Sequence, residues 1–475
     1  MEYTMNELNN SRRLFFRNLC LTGLVFSGVK GLSGDAEASS GDSKKVKHWD
    51  VIVVGGGPGG VPAAVAAARN GARVLLVESY GFLGGMATAG LVLPFMKYSA
   101  GNKKIVRGLF EEFLDLLEQN GATVRKKYTD AELIRLNTFT TDLEDRAHFD
   151  DEPMKWLLDR FVLDAKVDLL LHTRAIGVLR QDDAIKAVRV FHKGGIEDLS
   201  ADIFIDSTGD GDIAAWAGGK VDIGRKPDNA CQPMTTSFRM ANVDIGRIPD
   251  GKTVNKLFDA AKKSGEINNL RENILKFFTV HPDVMHFNST RVTGKSSLNG
   301  WSMTEAEIEG RRQVDELSRF LIKSIDGFEN AYLMKMGTQI GVRESRRIMG
   351  LYTLKAEDVI KGRKFDDGVS CGSYAIDIHN PSGTGTKMIY LDEGIYYHIP
   401  YRCLLPTGID NLIVASRCVS ATHEAHSSLR VMPTVWGIGQ AGGTAAALCV
   451  KHKVEPSDVD ATELRKILVK QNVFL

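Results

Sequence analysis

Two histidines and an arginine near the end of the chain are the residues whose chemistry stands out first. His423 and His426 lie in the segment THEAHSSLRVMP, 422–433, and Arg430 follows in the same segment. An imidazole can take or give a proton near neutral pH, and a guanidinium can bind an anionic group or stabilise developing oxyanion charge. His379, in the alternating segment IDIHN, is a further candidate. These four residues form the predicted catalytic set.

The same segment partly resembles a zinc-binding helix motif, H-E-x-x-H. Zinc ligands on one helix are typically spaced four residues apart, with a glutamate between them. His423 and His426 are three residues apart, and no convincing third ligand follows them. We therefore predict no metal site, and a zinc hydrolase is kept only as a rival interpretation.

A glycine-rich loop near the start of the chain indicates a nucleotide site. The apolar run 51–54 predicts a buried parallel strand, the loop 55–60 contains G-x-G-x-x-G, and an alanine-rich helix follows. A second apolar run, 73–77, ends at Glu78. This order of elements is the dinucleotide-binding unit, in which the glycines admit a pyrophosphate and the acid accepts from a ribose hydroxyl. NAD and FAD both use it.

Later glycine turns favour FAD over NAD. The pair 84–85 comes soon after Glu78, where backbone can run close to a long dinucleotide. The apolar run 201–206 leads into a second turn, 207–210, which carries a glycine and an acid. Another G-x-G-x-x-G, at 437–442, is not followed by a strand with a terminal acid. We expect that motif to form a helix N-terminus opposite the cofactor ring, where amide dipoles stabilise negative charge.

A family resemblance extends across residues 48–450. The chain resembles FAD-dependent oxidoreductases of the glutathione-reductase and fumarate-reductase type of fold. More closely, it is similar to the bacterial family often labelled xanthan-lyase-like. The stretches that carry the resemblance are VIVVGGGPGGVPAAVAAAR, LGGMATAG, FIDSTGDGDIAA, IGVRESRRIMG, IPYRCLLP and NLIVASRCVSATHEAHSSLRVMPTVWGIGQAGGTAAAL. It implies an α/β fold, with a three-layer Rossmann-like FAD-binding domain around a parallel central sheet and an inserted α+β substrate domain.

The resemblance also implies FAD as the cofactor and a set of residues that hold it. The early glycines would hold the pyrophosphate, and the acid would bind the adenosine ribose. The turn at 84–88 would lie beside the pyrophosphate or flavin, the backbone near Ala175 would meet the adenine, and residues 208–210 would form a second FAD turn. The implied FAD-binding residues are Gly55, Gly57, Gly59, Gly60, Glu78, Gly84, Gly85, Thr88, Ala175, Thr208, Gly209, Asp210, Arg417 and Gly439.

The chain divides into four predicted regions. Residues 1–38 are interpreted as an export signal, 39–225 as the first part of the FAD-binding domain, 226–400 as a substrate or cap domain, and 401–475 as the return to the FAD-binding domain. Within the third region we predict a helix from Thr304 to Ile325, with Thr304 as its N-cap. The charged segment GVRESRRIMG is interpreted as a structural ion-pair network that links the domains rather than a direct substrate site.

The first region predicts the location of the protein. It contains S-R-R-L-F-F, a weak apolar run, and Ala36-Glu37-Ala38 as a cleavage site, which is typical of twin-arginine export to the periplasm. The apolar run is too short to span a bilayer, so we expect no stable membrane span, and an ordinary secretion signal is the alternative. A net charge of +1 predicts no general attraction to nucleic acid.

We expect an exported flavoenzyme that transfers a hydride between a small-molecule substrate and the flavin. Oxidation of an alcohol, including a sugar or hydroxy compound, and reduction of an activated C=C bond are both open. Electrons would come from the substrate and leave to a separate unknown acceptor, and the export machinery would be a further partner. A flavin-binding protein without turnover is the remaining alternative.

Overall fold

The computed structural model describes residues 47–125 and 147–475. The predicted export signal, 1–38, lies outside these residues. The strands are β1 His48–Val54, β2 Val74–Val77, β3 Ser99–Ala100, β4 Lys103–Lys104, β5 Thr123–Arg125, β6 Ala147–Phe149, β7 Asp168–Leu170, β8 Arg174–Gln181, β9 Ala184–His192, β10 Gly195–Asp206, β11 Val221–Ile223, β12 Phe238–Ala241, β13 Lys276–Phe278, β14 Met285–Phe287, β15 Tyr332–Met336, β16 Arg346–Ile348, β17 Gly368–Gly372, β18 Ile376–His379, β19 Thr386–Ile389, β20 Tyr397–Pro400 and β21 Leu412–Val414. The helices are α1 Gly60–Arg69, α2 Leu109–Gln119, α3 Asp151–Asp164, α4 Asp212–Trp216, α5 Gly251–Lys263, α6 Gly300–Ser324, α7 Ala356–Ile360, α8 His423–Leu429, α9 Met432–His452 and α10 Ala461–Lys470.

A seven-stranded sheet forms the centre of the fold. Its order is β7-β2-β1-β10-β9-β8, and β21 also pairs with β10. The pairs β7–β2, β2–β1, β1–β10 and β10–β21 are parallel, whereas β8, β9 and β10 form antiparallel hairpins. The parallel segments 51–54, 74–77, 203–205 and 412–414 are continuous apolar runs that are buried, as such strands must be when helices cover the sheet. The predicted α/β class with a parallel central sheet is confirmed.

Helices α1 and α9 pack against each other with almost no space between their backbones. A Cβ atom added to Gly443 would lie 2.0 Å from the carbonyl oxygen of Ala63, and one added to Gly439 would lie 2.2 Å from that of Gly59. Gly439 of the second G-x-G-x-x-G motif, and Gly443 directly after the motif, therefore serve helix packing. The prediction that this motif forms a helix N-terminus is wrong, because α9 begins at Met432 and the motif lies inside it.

A second, antiparallel sheet has the order β13-β14-β12-β15. Its apolar face and helices α5 and α6 enclose a separate core, whose residues fall between Phe238 and Ala331. This is the α+β part that the resemblance implies. Residues such as Ile348, Val369 and Tyr397 instead join the larger core around the central sheet. The boundaries at 226 and 400 stay predictions.

One predicted helix start differs from the structure. Helix α6 begins at Gly300, and the side chain of Asn299 caps it by accepting from the backbone N–H of Ser302 at 3.0 Å. The Thr304 hydroxyl, which we expected to be the cap, donates to the Gly300 carbonyl at 2.9 Å inside the first turns. Asn is as good an N-cap as Thr, so the sequence offered two possible cap residues, five positions apart.

In the described part of the chain, no helix is long and apolar enough to cross a membrane.

Candidate functional site

A cavity of about 640 Å³ opens at the carboxyl ends of the parallel strands β1, β2 and β10. Ligands of open α/β sheets bind at this edge, and the volume is typical of a cofactor site. Ten of the fourteen residues predicted to bind FAD line it: Gly55, Gly57, Gly59, Glu78, Gly85, Ala175, Thr208, Gly209, Asp210 and Arg417. Residues from four distant parts of the sequence are thus brought to one cavity.

The glycines of the first loop have two different reasons to be glycine. Gly55 has a φ of +102°, and a Cβ there would lie 2.4 Å from the Ser207 carbonyl oxygen. At Gly57 the only protein atom within reach of a Cβ is the Gly85 Cα, at an ordinary 3.7 Å. No protein neighbour demands glycine at position 57, which faces the cavity. The space that a side chain would fill is therefore a cradle for a ligand, beside the N-terminus of α1.

Glu78 holds the glycine loop in place by a hydrogen bond to its backbone. Its Oε2 atom accepts from the backbone N–H of Gly56 at 2.7 Å, and its Oε1 atom accepts from the Ser79 hydroxyl and the Tyr80 N–H, both at 2.9 Å. The side chain is buried yet lines the cavity. A carboxylate has about four acceptor positions, so Glu78 can still accept from a ribose hydroxyl.

A residue that sequence reasoning missed organises the second turn. Asp206, at the end of β10, is fully buried and accepts from the Thr208 N–H at 3.1 Å, the Thr208 hydroxyl at 2.8 Å and the Ala214 N–H at 3.0 Å. Burial raises the pKa of Asp206 to about 6. Next to it, Arg417 pairs with Asp210 at 2.9 Å, and its guanidinium lies against Gly209. An acid at the end of a buried apolar strand is the signal that could have identified Asp206.

Four predicted FAD-binding residues do not line the cavity, and each has a packing role instead. A Cβ on Gly60 would lie 1.7 Å from the Gly55 carbonyl oxygen, so this glycine lets the helix approach the loop. Gly84 has a φ of +108° and packs against Thr88, whose hydroxyl donates to the Leu83 carbonyl at 2.7 Å. These contacts close the turn behind Gly85. Direct cofactor contact stays a prediction for Gly60, Gly84 and Thr88, and for Gly439 within α9.

A second cavity, of about 530 Å³, adjoins the first. The two share a rim of five residues: Met86, Val342, Arg417, Arg430 and Met432. Arg430 therefore lies where a group at the end of the first cavity would meet a molecule in the second. The structure places this predicted residue between the two cavities, and its catalytic role stays a prediction.

Strand β18 supplies an acid and a histidine to the wall of the second cavity. Asp377 and His379 are two residues apart on one strand, so both side chains point to the same face. The Oδ2 atom of Asp377 lies 3.5 Å from His379 Nε2, 3.5 Å from Arg430 Nη2 and 3.3 Å from the hydroxyl of Tyr374. Burial alone would raise the pKa of Asp377, but the hydrogen bond from His379 and the charges of Arg430 and Arg343 outweigh it and lower the pKa.

His379 is neutral near neutral pH. Burial lowers its pKa to about 3, and the nearby Asp377 offsets only part of that effect. Its Nδ1 atom lies 3.3 Å from guanidinium nitrogens of Arg271 and Arg291, which can only donate, so Nδ1 accepts. The remaining proton is then on Nε2, which faces Asp377. Among the described histidines, His379 is the one that lines either cavity.

His423 and His426 line neither cavity, which corrects their predicted placement at the reacting centre. His423 Nδ1 lies 2.8 Å from Glu344 Oε1, which also pairs with Arg347 at 2.5 Å. The other carboxylate oxygen of Glu344 accepts from the backbone N–H of Gln232 at 3.0 Å. Burial and surrounding arginines lower the pKa of His426 well below its ordinary value. Helix α8 thus places both histidines in the protein interior, where His423 joins a buried ion-pair network and neither ring nitrogen of His426 has a hydrogen-bond partner among the described residues.

The segment GVRESRRIMG contains residues with different roles. Arg347 pairs with Glu344, and Arg346 pairs with Asp212 at 2.7 Å, which fits the structural ion-pair network expected there. Arg343, however, lines the second cavity and makes no ion pair within the described residues. The density of charge in this segment did not predict that its arginines have different roles.

Within residues 47–125 and 147–475, no three His, Cys, Asp or Glu side chains are grouped to hold a metal ion.

The central sheet, the glycine loop and the first cavity together define a dinucleotide-binding protein. The chain belongs to the FAD dependent oxidoreductase family, whose model matches residues 50–468. FAD is accordingly the cofactor. The cradle at Gly57, the free acceptor capacity of Glu78 and the polar second turn fit its pyrophosphate and ribose groups, and the volume fits an extended dinucleotide.

Curated relatives match part of the chain. It is 28% identical over 198 residues to a digeranylgeranylglycerophospholipid reductase of Methanothrix thermoacetophila, which covers 38% of this chain and 43% of the relative. It is 27% identical over 212 residues to the enzyme of the same name from Methanosarcina mazei, which covers 42% and 46%. The chain thus spans less than half the length of these relatives.

Solved structures resemble the chain over most of its length at low identity. A p-nitrophenol 4-monooxygenase from Pseudomonas putida covers 89% of this chain and 85% of its own, at 12% identity and a TM-score of 0.47. A geranylgeranyl bacteriochlorophyll reductase-like protein from Thermoplasma acidophilum covers 90% and 84%, at 12% identity and a TM-score of 0.42.

Proposed function

We propose that this protein transfers a hydride between FAD in the first cavity and a small organic molecule in the second. The observation that carries the proposal is the shared rim, where Met86, Arg417 and Arg430 line both cavities. Bound FAD supplies the two-electron centre. A ring that ends at this rim would present one edge to the second cavity, which is the arrangement that hydride transfer requires.

The residues of the rim and wall support such a step. Met86, Val342 and Met432 give the junction an apolar lining, which excludes water and strengthens electrostatic interactions. The Arg430 guanidinium can stabilise negative charge that develops on the substrate. Asp377 and His379 can orient a substrate group by hydrogen bonds, and an anionic substrate beside His379 would raise its pKa and let it hold the companion proton.

The direction of the reaction has two candidates. Oxidation of a hydroxy compound, including a sugar, is the first, because the wall offers an acid–histidine pair that can accept from a hydroxyl group. Reduction of an activated C=C bond is the second, and it is supported by relatives that are named reductases. Within the described residues, parallel pairs of strands occur only in the central sheet, which supports a separate electron acceptor rather than a bound NAD(P).

The finer family and the location belong to the same proposal. The motifs quoted above support membership of the glutathione-reductase and fumarate-reductase type and of the xanthan-lyase-like group. The S-R-R-L-F-F segment supports export through the twin-arginine machinery to the periplasm. Replacement of Arg12 and Arg13 by lysine tests this export route. Mature protein should no longer reach the periplasmic fraction, whereas unchanged export would show that another route is used.

The experiment that tests the function is anaerobic. Purified full-length protein with its bound FAD is mixed with sugars, hydroxy acids and amines, and loss of the flavin absorbance is followed. In the reverse direction, the chemically reduced protein is mixed with activated alkenes, and recovery of the absorbance is followed. Bleaching or recovery with one class establishes turnover and its direction. Bound flavin that responds to neither panel would support the alternative of a flavin-binding protein without turnover.

A further inference from the structure

The second cavity carries an excess of positive charge. Its ionisable lining comprises four arginines, two carboxylates and one histidine, in chain order Arg271, Glu272, Arg343, Asp377, His379, Arg417 and Arg430. Both carboxylates are already engaged, since Asp377 pairs with Arg430 and Glu272 pairs at 3.2 Å with Arg291, which lies just behind the wall. Arg417 is neutralised by Asp210 on the side of the first cavity.

Two guanidiniums are left without a charged partner. In the part of the chain that the structure describes, neither Arg271 nor Arg343 forms an ion pair. Arg271 is buried, its Nε atom has no hydrogen-bond acceptor, and one Nη atom lies 3.3 Å from the neutral His379. Arg343 donates to the Pro233 carbonyl at 2.7 Å and to the neutral Thr235 hydroxyl.

These two cations also repel each other. Burial lowers the pKa of Arg343 well below its ordinary value, and the charges of Arg430 and Arg271 lower it further. Burial and the charge of Arg291 likewise lower the pKa of Arg271, and the charges of Glu272 and Asp377 offset only part of this effect. A buried, unpaired cation is costly unless something of opposite charge completes the site. An anion in the cavity would lower that cost for the buried Arg271 and for the partly buried Arg343.

The rest of the lining indicates what else the anion carries. Apolar side chains from three parts of the chain contribute to the lining: Val92, Leu93, Pro94, Leu275, Phe277 and Met388. An inorganic anion would leave this surface without a partner, and a polyol would have its hydroxyl groups desolvated against it. The lining therefore favours an apolar body attached to one anionic group.

We propose that the second cavity binds an organic carboxylate with an apolar body, whose carboxylate group is held by Arg271 and Arg343. The planar guanidiniums offer paired N–H donors that match a carboxylate. This inference rests on the proposed function only in taking the second cavity as the substrate site. It narrows the substrate from a sugar or hydroxy compound to an organic acid.

The first test compares acids with their neutral amides on the unaltered protein. Phenylacetate and phenylacetamide, and hexanoate and hexanamide, are titrated into the oxidised holoprotein, with calorimetry and the absorbance of the bound flavin as readouts. We expect each acid to bind at least about 10-fold more tightly than its amide, because a charge-assisted pair is lost in the amide. Equal affinities for acid and amide would overturn the proposal.

The second test removes each arginine. Arg271→Gln and Arg343→Gln should weaken phenylacetate binding about 10- to 100-fold and leave phenylacetamide binding within about twofold. Arg319→Gln is the matched control, because it removes the same charge from an exposed position of α6 that does not line the cavity. It should change the affinity for neither phenylacetate nor phenylacetamide. Should Arg343→Gln fail to fold because its bonds to Pro233 and Thr235 are lost, Arg271→Gln and the acid–amide comparison decide. Unchanged phenylacetate affinity in folded Arg271→Gln would overturn the proposal.

These readouts separate the inference from the proposed function. Binding of phenylacetate needs no turnover, so a protein that binds acids selectively but never exchanges electrons would sustain the inference and refute the function. Flavin that is reduced by a neutral sugar, together with equal affinity for acids and amides, would refute the inference and sustain the function.

Discussion

His423 Nδ1 lies 2.8 Å from Glu344 Oε1, inside the protein and outside both cavities. This contact decides the role of a segment that has the residue types of an active site. Glu344 also holds Arg347 and the backbone N–H of Gln232, so one buried carboxylate joins helix α8 to the strand that carries Arg346 and Arg347. The pair has a structural role, and neither residue lines the rim that contains Arg430.

Glu344→Gln should therefore lower stability. The change leaves the buried Arg347 without its counter-charge, and loss of one partner of a buried pair costs about 3 kcal/mol. The free energy of unfolding, from urea titration of the holoprotein, measures the loss. Glu424→Gln, exposed on the same helix, is the matched control and should change it by less than about 0.5 kcal/mol. Equal stability of the two variants would mean that the network contributes nothing.

Gly443→Ala should destabilise the contact between α1 and α9. The new Cβ would lie 2.0 Å from the Ala63 carbonyl oxygen, so one helix must move, at a cost of about 2 kcal/mol. Gly177→Ala is the matched control, since no atom lies within 4 Å of a Cβ there. Thermal unfolding of both variants is the measurement. A melting temperature for Gly443→Ala equal to that of the control would argue against close helix packing.

Glu78→Ala should weaken FAD binding about 10- to 100-fold. The variant loses the acceptor for the ribose and the hydrogen bond that holds the Gly56 N–H at 2.7 Å. Titration of FAD-depleted protein, followed by flavin fluorescence, gives the affinity. Glu357→Ala, on an exposed position of α7, should bind FAD like the unaltered protein. Normal affinity in Glu78→Ala would place the adenosine end of the cofactor elsewhere.

The buried His379 should make stability depend on pH. Its pKa is about 3 in the folded protein and about 6.5 in an unfolded chain. As the pH falls below about 6.5, the unfolded chain takes up a proton that the folded protein refuses, so stability is lost in this window, by up to about 1.4 kcal/mol per pH unit. His379→Asn should show a shallower fall. Urea unfolding at several pH values checks this, and identical slopes in both proteins would contradict it.

The parallel core and the first cavity were predictable because each depends on local patterns. Continuous apolar runs fixed β1, β2 and β10, and the turns that follow them must meet at one edge of a parallel sheet. The φ of +102° at Gly55 and the close contact at Gly60 are requirements that glycine alone meets. The sequence therefore revealed these positions without any knowledge of distant contacts.

The second cavity was not predictable in the same way, because its wall joins residues far apart in the chain. Arg271 lies in the loop before β13 and Asp377 lies on β18, and only the folded structure brings both to one cavity. Nothing near Arg271 in the sequence marks it as a ligand-binding residue. The predicted position of His423 at the reacting centre was wrong for a similar reason, since only the folded structure shows that Glu344 contacts its Nδ1 atom. Gly439 misled because the same glycine pattern that admits a pyrophosphate also admits a neighbouring helix.

The central claim is that FAD lies in the first cavity with its reactive ring at the rim shared with the second. A crystal structure of the full-length holoprotein tests it most directly. We expect the pyrophosphate beside Gly57, the adenosine ribose at Glu78, and the flavin ring within contact distance of Met86 and Arg430. Flavin density that leaves this rim empty, with the ring pointing away from Arg430, would contradict the account.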